Sequence, residues 1–345
     1  MFDLSSEEET RALKVHSESL VVDTHCDRIM PLMPPPPSVL PDSSGEVEMD
    51  LSVHLDKLGD GGVDCQVFAV YVSPAYHPIA LRRALQMIDV FNSEVEKNSN
   101  RVALCTDYSE IVKCADDGKI SAVLSIEGGE SLMSDLRMLR IFYTLGVRAL
   151  GLTHFPRNRL ADGSAEMRSN SGLSSFGVMV VEEMNRLGMI VDVSHINERG
   201  FWDVMEVSKD PVIASHSNCK SLCDHHRNLS DEQVKAFSEK GGVMGITYVT
   251  PFLEKSPGGA DDFRSPSSVS RILDHIDYAV KLVGSDHVGL GSDYMGRNQT
   301  RIKGLEDISK LPNVTRGLVS RGYSYTEIRK ILGGNFLRVF KRVLH

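Results

Sequence analysis

The sequence predicts an α/β protein built as a distorted (β/α)8 TIM barrel, and three observations point to it. Eight apolar, β-branched runs recur along the chain, and segments of helical periodicity separate most of them. The runs are apolar through most of their length rather than alternating, as in parallel strands covered on both faces. Their C-terminal ends carry polar residues fit for chemistry, and a closed barrel gathers all such ends at one mouth. An open doubly wound sheet would spread them along a line, apart from a few at a switch point.

In chain order the runs are Leu20–Asp27, Val63–Val72, Ser121–Gly128, Arg148–His154, Met189–His195, Pro211–Ser217, Gly241–Tyr248 and His287–Asp293. The first ends in His25 and Asp27, the third in Glu127, the fourth in His154 and the fifth in His195. The sixth ends in His216, the seventh in Tyr248 and the eighth in Asp293. Between the second and third runs, Ile79–Glu96 puts Leu81, Leu85, Ile88 and Phe91 or Val95 on one helical face. Asp135–Leu145, Ser175–Leu187, Phe201–Val207, Asp231–Lys240 and Val269–Val283 show the same spacing. Ser230 with Gln233 has the form of a capping box, and the glycines of "RLG", "EKGG" and "KLVG" fall where helices should stop. Strands alternating with helices imply right-handed crossovers.

Two stretches depart from an ideal barrel. Residues 31–62 hold a proline run that reads as stiff polyproline, with helical character only around Ser52–Leu58. This stretch is either a surface loop or a flap over the mouth. Residues 294–313, after the eighth run, form a second long loop. There is no internal repeat and no linker, so residues 1–345 are expected to form a single domain.

Composition narrows the partners. The chain has 345 residues, 41% apolar and 25% charged, as in an ordinary soluble globular protein. Its net charge of −9 and lack of a long basic run argue against a nucleic-acid partner. Six cysteines are too sparse for a disulfide framework and read as reduced, buried thiols. The acidic N-terminus lacks an apolar leader, and no apolar run reaches the roughly 18 residues of a membrane span. A cytoplasmic protein with no membrane partner is therefore expected. On that reading the sequons at Asn228, Asn298 and Asn313 have no role.

"VVDTHCD" needs strand geometry to be read. Side chains two apart share a face, so Asp23, His25 and Asp27 point one way and Val22, Thr24 and Cys26 the other. With His25 and Asp27 toward the barrel axis, Cys26 faces the helix layer as a small apolar group. One His-x-Asp is weak evidence, and a single histidine is more often a satisfied core residue. Convergence changes that balance, because four of the twelve histidines, a glutamate and an aspartate end predicted strands. Imidazole and carboxylate together suit zinc, manganese and similar divalent ions.

"DTHCD", "SIEGGESL", "LTHFPRNRLADGS", "VDVSHIN", "PVIASHSNCKSLCDHHRNLSD", "VGLGSD" and "GGNFLRVF" resemble, in order, the motifs of the membrane (renal) dipeptidase family. These are zinc peptidases of the amidohydrolase superfamily, and the match runs from residue 20 to about residue 340. The resemblance implies a barrel of the metal-dependent hydrolase type with two divalent ions, zinc foremost. It implies that His25 and Asp27 hold one ion, His195 and His216 the other, and that Glu127 bridges them. His154 would stabilise the oxyanion at the substrate carbonyl. Arg227 would take the substrate carboxylate, with Tyr248 assisting, and Asp293 would transfer the proton. Dipeptides would be the substrates, with tolerance for a D-residue at the C-terminal position, and the protein would form a homodimer. Without the resemblance, Arg227 reads as a surface salt bridge; His225 and His226 read as solvated residues or as ones packed behind the ligands.

The chain departs from the family pattern in places. Thr24 and Cys26 stand where relatives often carry Gly and Asn, which leaves the ligands untouched. Tyr294-Met295-Gly296 replaces a frequent Phe-Asp-Gly beside the pocket, which leaves substrate preference open. The disulfides and lipid-anchor signal of the mammalian membrane-bound members are not evident. Two other functions compete. One is a different amidohydrolase, an N-acyl-amino-acid deacylase or lactonase, on the same metals. The other is a catalytically silent barrel, which would require the loss of a ligand or of Asp293, and every expected position is filled.

Overall fold

The structure is a computed structural model that describes residues 2–33, 50–259, 262–263, 265–294 and 302–344. Its strands are β1 (Val22–Cys26), β2 (Cys65–Tyr71), β3 (Val102–Leu104), β4 (Ile120–Glu127), β5 (Val147–Gly151) and β6 (Ile190–Asp192). They continue with β7 (Ile213–Ser217), β8 (Val243–Ile246), β9 (Ser267–Ser268), β10 (Val288–Leu290) and β11 (Ile302–Lys303). Eight of them lie in the order β2-β1-β10-β8-β7-β6-β5-β4, and β4 pairs back onto β2, closing a parallel barrel. These eight are the eight predicted runs. The closing pair ends with Tyr71 opposite Glu127, so both side chains stand at the same mouth.

β3, too short to register as an apolar run, adds to the outside of β4 at its N-terminal end, with Val102 opposite Ile120. β9 and β11 form a small separate parallel pair. The predicted helices appear as Ala80–Lys97, Leu136–Thr144, Ser175–Leu187, Glu198–Val207, Asp231–Glu239 and Val269–Val283. The Ser230–Gln233 capping box is present in both directions. Helices over Ser6–Ser17, Tyr108–Asp116 and Pro312–Ser320 complete the outer layer, Asn335–Val343 lies against the strand starts, and none of the four was foreseen.

Both long loops contain more order than the sequence suggests. Leu51–Asp60 is a full crossover helix between β1 and β2, opened by Asp50, which accepts a hydrogen bond from the Ser52 amide. Residues 34–49, including the proline run and any flap, lie outside the described residues. After β10, the expected loop to residue 313 gives way to β11 and to the helix beginning at Pro312. Met295 and Gly296 lie outside the described residues.

The barrel has an apolar end and a polar end. Cys65, Val67, Val123, Ile190, Ile213 and Val243, at or near the strand starts, cluster with Phe336, Val339, Phe340 and Val343 of the last helix. That helix therefore plugs one end with hydrocarbon and leaves the other for chemistry. Side-chain alternation settles the place of Cys26. Its buried sulfur lies 4.0 Å from His54 Nε2 on the crossover helix and packs in the apolar cluster that holds Phe68. All six cysteines are free and buried. Among the described residues no helix is long and apolar enough to cross a membrane.

Candidate active site

Parallel strands deliver their C-terminal ends to one mouth, and six predicted residues converge there. Glu127 sits at the centre. Its Oε1 lies 2.9 Å from His195 Nε2 and 3.4 Å from His216 Nε2, and its Oε2 lies 3.6 Å from His25 Nε2. His25 Nε2 is in turn 3.9 Å from Asp27 Oδ1 and 3.8 Å from Asp293 Oδ1. The Nε2 atoms of His195 and His216 face each other at 2.9 Å. Three ligand groups follow, His25–Glu127–His216, Glu127–His154–His195 and His25–Asp27–Asp293, each with donor atoms within 4.8 Å of one another.

These residues fit divalent cations. His25 Nε2 and Asp27 Oδ1 are buried without a hydrogen-bond partner among the described residues, an arrangement that is costly unless something else satisfies them. Three carboxylates share one small space with imidazoles whose nitrogens point inward, a donor set of borderline character.

Neighbouring residues fix the orientation of the ligands. Asp192, on β6, accepts from the amides of Ser194 and Ser215 at 2.9 and 3.0 Å and from the Ser215 hydroxyl. The Ser215 oxygen lies 2.7 Å from His216 Nδ1. Because that hydroxyl gives its proton to Asp192, it accepts from Nδ1–H, which leaves the lone pair of Nε2 toward Glu127. On the other side, Asp23 accepts from the amide and hydroxyl of Ser292 at 2.6 and 2.5 Å, and the Asp293 amide donates to the His25 carbonyl at 3.1 Å. The β1–β2 pairing slips between Asp23 and Cys26, and the β7–β8 pairing between Ala214 and Ser217. Each irregularity falls beside a site histidine, where such slips re-aim side chains. His195 and Asp293 both adopt left-handed backbone, at φ 67° and 60°. That conformation is uncommon outside glycine and marks places where a site holds the chain under constraint. Below the site, the Thr24 hydroxyl lies 2.7 Å from the Ser215 carbonyl, and a Cβ on Gly291 would come within 1.8 Å of the same oxygen. Only glycine allows that crossing.

Charge follows the same geometry. Burial disfavours the cationic form of His25, but Glu127, Asp293 and Asp27 outweigh it and lift its pKa to about 10. His195 and His216 are held well below the usual histidine range, first by burial and then by nearby cationic groups, Arg227 among them. Burial opposes the charge of Glu127, yet the charge of His25 and the hydrogen bond from His195 keep it ionised. Asp293 is raised to about 7, chiefly by burial, with His25 lowering it and Glu127 raising it. A bound cation would pull these carboxylates down.

The remaining predicted residues fall nearby. His154, half-buried at the rim, stands 4.0 Å from Glu127 Oε1, with its ring 4.3 Å from that of His195. Arg227 is buried, which corrects its reading as a surface residue. Its guanidinium donates to Ser217 Oγ at 2.8 Å and to the His216 carbonyl, and burial lowers its pKa to about 10. Tyr248 is fully buried, edge-on to Tyr294 at 5.8 Å, with its hydroxyl lacking a hydrogen-bond partner among the described residues and outside the three ligand groups. His225 is also buried rather than solvated. It stacks on His226 at 4.3 Å, and its Nδ1 accepts from the Arg227 amide. Sequence reasoning passed over Asp192, Ser215, Asp23 and Ser292, and also Tyr71, whose ring lies 4.5 Å from that of His154. A signal for Tyr71 existed, since it stands near the end of the second run.

Residues 9–345 match the family described as membrane dipeptidase, peptidase family M19. The chain is similar to dipeptidase tcpJ of Claviceps purpurea, 34% identical over 306 residues that cover 85% of this chain and 70% of that protein. It is 35% identical over 302 residues to dipeptidase 3 of Mus musculus, covering 84% of this chain but only 57% of that protein's length. A solved metallo peptidase from Rhodobacter sphaeroides, bound to a phosphinate mimic of the dipeptide L-Ala-D-Ala, superposes with a TM-score of 0.82. It is 28% identical, with 94% of this chain and all of that one covered.

Proposed function

The chain belongs to the membrane dipeptidase family, and on that premise we propose that it hydrolyses dipeptides with two divalent cations, zinc foremost. The observation that carries this reading is Glu127, which turns one oxygen to His195 and His216 and the other to His25. A carboxylate split in this way would suit two neighbouring cations, one of which His25 and Asp27 would hold and the other His195 and His216. Cations held there acidify water and polarise a carbonyl.

The remaining steps belong to the chain's own residues. Asp293, beside His25, accepts a proton from the attacking water and delivers it to the leaving amine. His154 donates from the rim toward the carbonyl oxygen as negative charge develops there. Arg227 presents its fork to the substrate's free carboxylate, which limits substrates to short peptides with that end exposed. Tyr248, just past the end of β8, is assigned an assisting part. Tolerance for a D-residue at the C-terminal position is part of the proposal, supported by the L-Ala-D-Ala mimic bound to the Rhodobacter sphaeroides relative. Six free thiols suit a cytoplasmic location.

The test is hydrolysis of L,L- and L,D-dipeptides by zinc-loaded protein beside N-acetyl-amino acids and lactones, with and without chelator. Chelator-sensitive cleavage of the dipeptides is expected. Cleavage of N-acetyl-amino acids or lactones alone would favour the deacylase or lactonase reading. Arg227→Lys keeps the charge and removes the fork, so KM for dipeptides should rise about tenfold, roughly the worth of one charge-assisted hydrogen bond. An unchanged KM would remove Arg227 from carboxylate binding.

A further inference from the structure

Across the barrel mouth from Arg227 stands a carboxylate that the chemistry above does not use. Glu130 follows Glu127 by three residues, on the turn after β4. It folds back over Gly128, with Oε2 only 2.3 Å from where a Cβ on that glycine would sit. Gly128 is at φ 88°, so the turn itself needs glycine and leaves that space for the carboxylate. Asn158 Nδ2 donates to Glu130 Oε1 at 3.3 Å and to the Leu152 carbonyl at 2.8 Å, while Asn158 Oδ1 accepts from the Leu160 amide at 2.7 Å. Glu130 is therefore held in place by an amide that is itself fixed. It is half-buried, its field reaches His77 and Glu127, and it forms no ion pair with a lysine or arginine among the described residues.

Barrel order gives the direction. In the closed ring β7 lies four strands from β2, so the Arg227 side of the mouth faces the side formed by β2 and its neighbour β4. A dipeptide with its carboxylate at Arg227 and its scissile carbonyl between Glu127 and His154 must send its N-terminal residue toward β2 and β4. There the ring of Tyr71, against His154, offers a flat apolar wall, and Glu130 is near enough for its charge to act on the Tyr71 hydroxyl. An aromatic face followed by a carboxylate suits an alkyl stem ending in a cation. Burial and the neighbouring Glu127 both disfavour the charge on Glu130, and an incoming cation would relieve both.

We propose that Glu130 is a specificity-determining residue that selects dipeptides whose N-terminal side chain is cationic, as in lysine, ornithine or arginine. The inference rests on the dipeptidase reading and adds to it the class of substrate. Three residues converge on the selection: Glu130 supplies charge, Asn158 holds it, and Tyr71 carries the stem.

The experiment compares L-lysyl-alanine with L-norleucyl-alanine, which has the same stem without the ammonium, on zinc-loaded wild-type protein and on Glu130→Gln. Glutamine keeps the volume and can keep the bond to Asn158. The wild type should favour the lysyl dipeptide about tenfold in kcat/KM, the worth of one hydrogen bond to a charged group, mainly through KM. In Glu130→Gln the ratio should fall to about one, and Glu130→Lys should reverse the preference toward glutamyl-alanine. Equal turnover of both dipeptides by the wild type would overturn the Glu130 assignment and leave the dipeptidase reading standing. Glu130→Gln lowering both by the same factor would also overturn it, since that is the result of a structural role or of contact with the α-amine. No hydrolysis of any dipeptide would overturn the dipeptidase reading and this inference with it.

Discussion

Replacing Asp293 by asparagine should lower kcat by about 10²–10⁴-fold, the usual worth of a positioned general acid–base, while the bound metal stays at the wild-type level. The substitution is nearly isosteric. Asparagine also tolerates the left-handed backbone that Asp293 adopts, so the fold should survive. A base must be deprotonated to act, so activity should rise with pH through the pKa of Asp293. That pKa is about 7 without cations and lower with them, which places the acidic limb of the rate profile below pH 7. The Asn variant should lose that limb along with its turnover. Metal analysis in parallel is decisive, because Asp293 also lies within ligand range of His25 and Asp27. If metal and activity fall together, Asp293 is a ligand and not the proton carrier.

Glu127→Gln should have the other large effect. Changes to residues that only orient ligands cost roughly 10–100-fold in metal affinity, and losing the shared central ligand should cost more. Glutamine retains the shape but not the charge, so bound cations, or the charge of His25 when no cation is bound, would be left with less compensation. Buried charges left in that way are strongly destabilised. The variant should fold, retain little zinc after desalting, and show none of the zinc-dependent rise in melting temperature expected of the wild type. Wild-type zinc retention by Glu127→Gln would contradict the central place given to this carboxylate.

The barrel was legible because its strands are apolar throughout and end in polar residues, and all eight closed in the predicted ring. The period of a strand separated His25 and Asp27 from Cys26 within one short segment, and the structure places Cys26 against His54 in the helix layer. The supporting residues were not legible for a physical reason. Asp192 reaches the Ser215 amide and hydroxyl only because β6 and β7 are neighbours, and the serine looks ordinary in its own segment. Ser292 meets Asp23 across 269 residues of sequence. Left-handed backbone at His195 and Asp293 is imposed by the surroundings, since neither residue favours it as glycine does. Without the family resemblance Arg227 reads as a surface residue for the same reason. Its burial comes from Ser217 and the His216 carbonyl, partners that pattern alone does not place beside it.

Titration of metal-free protein with zinc, following bound ions and hydrolysis of L-Ala-D-Ala in the same samples, tests the central claim most directly. Activity should be absent after chelation, rise with occupancy, and level off at about two ions per chain, as a shared carboxylate between two cations requires. Full turnover without metal, or none when two ions are bound, would contradict it.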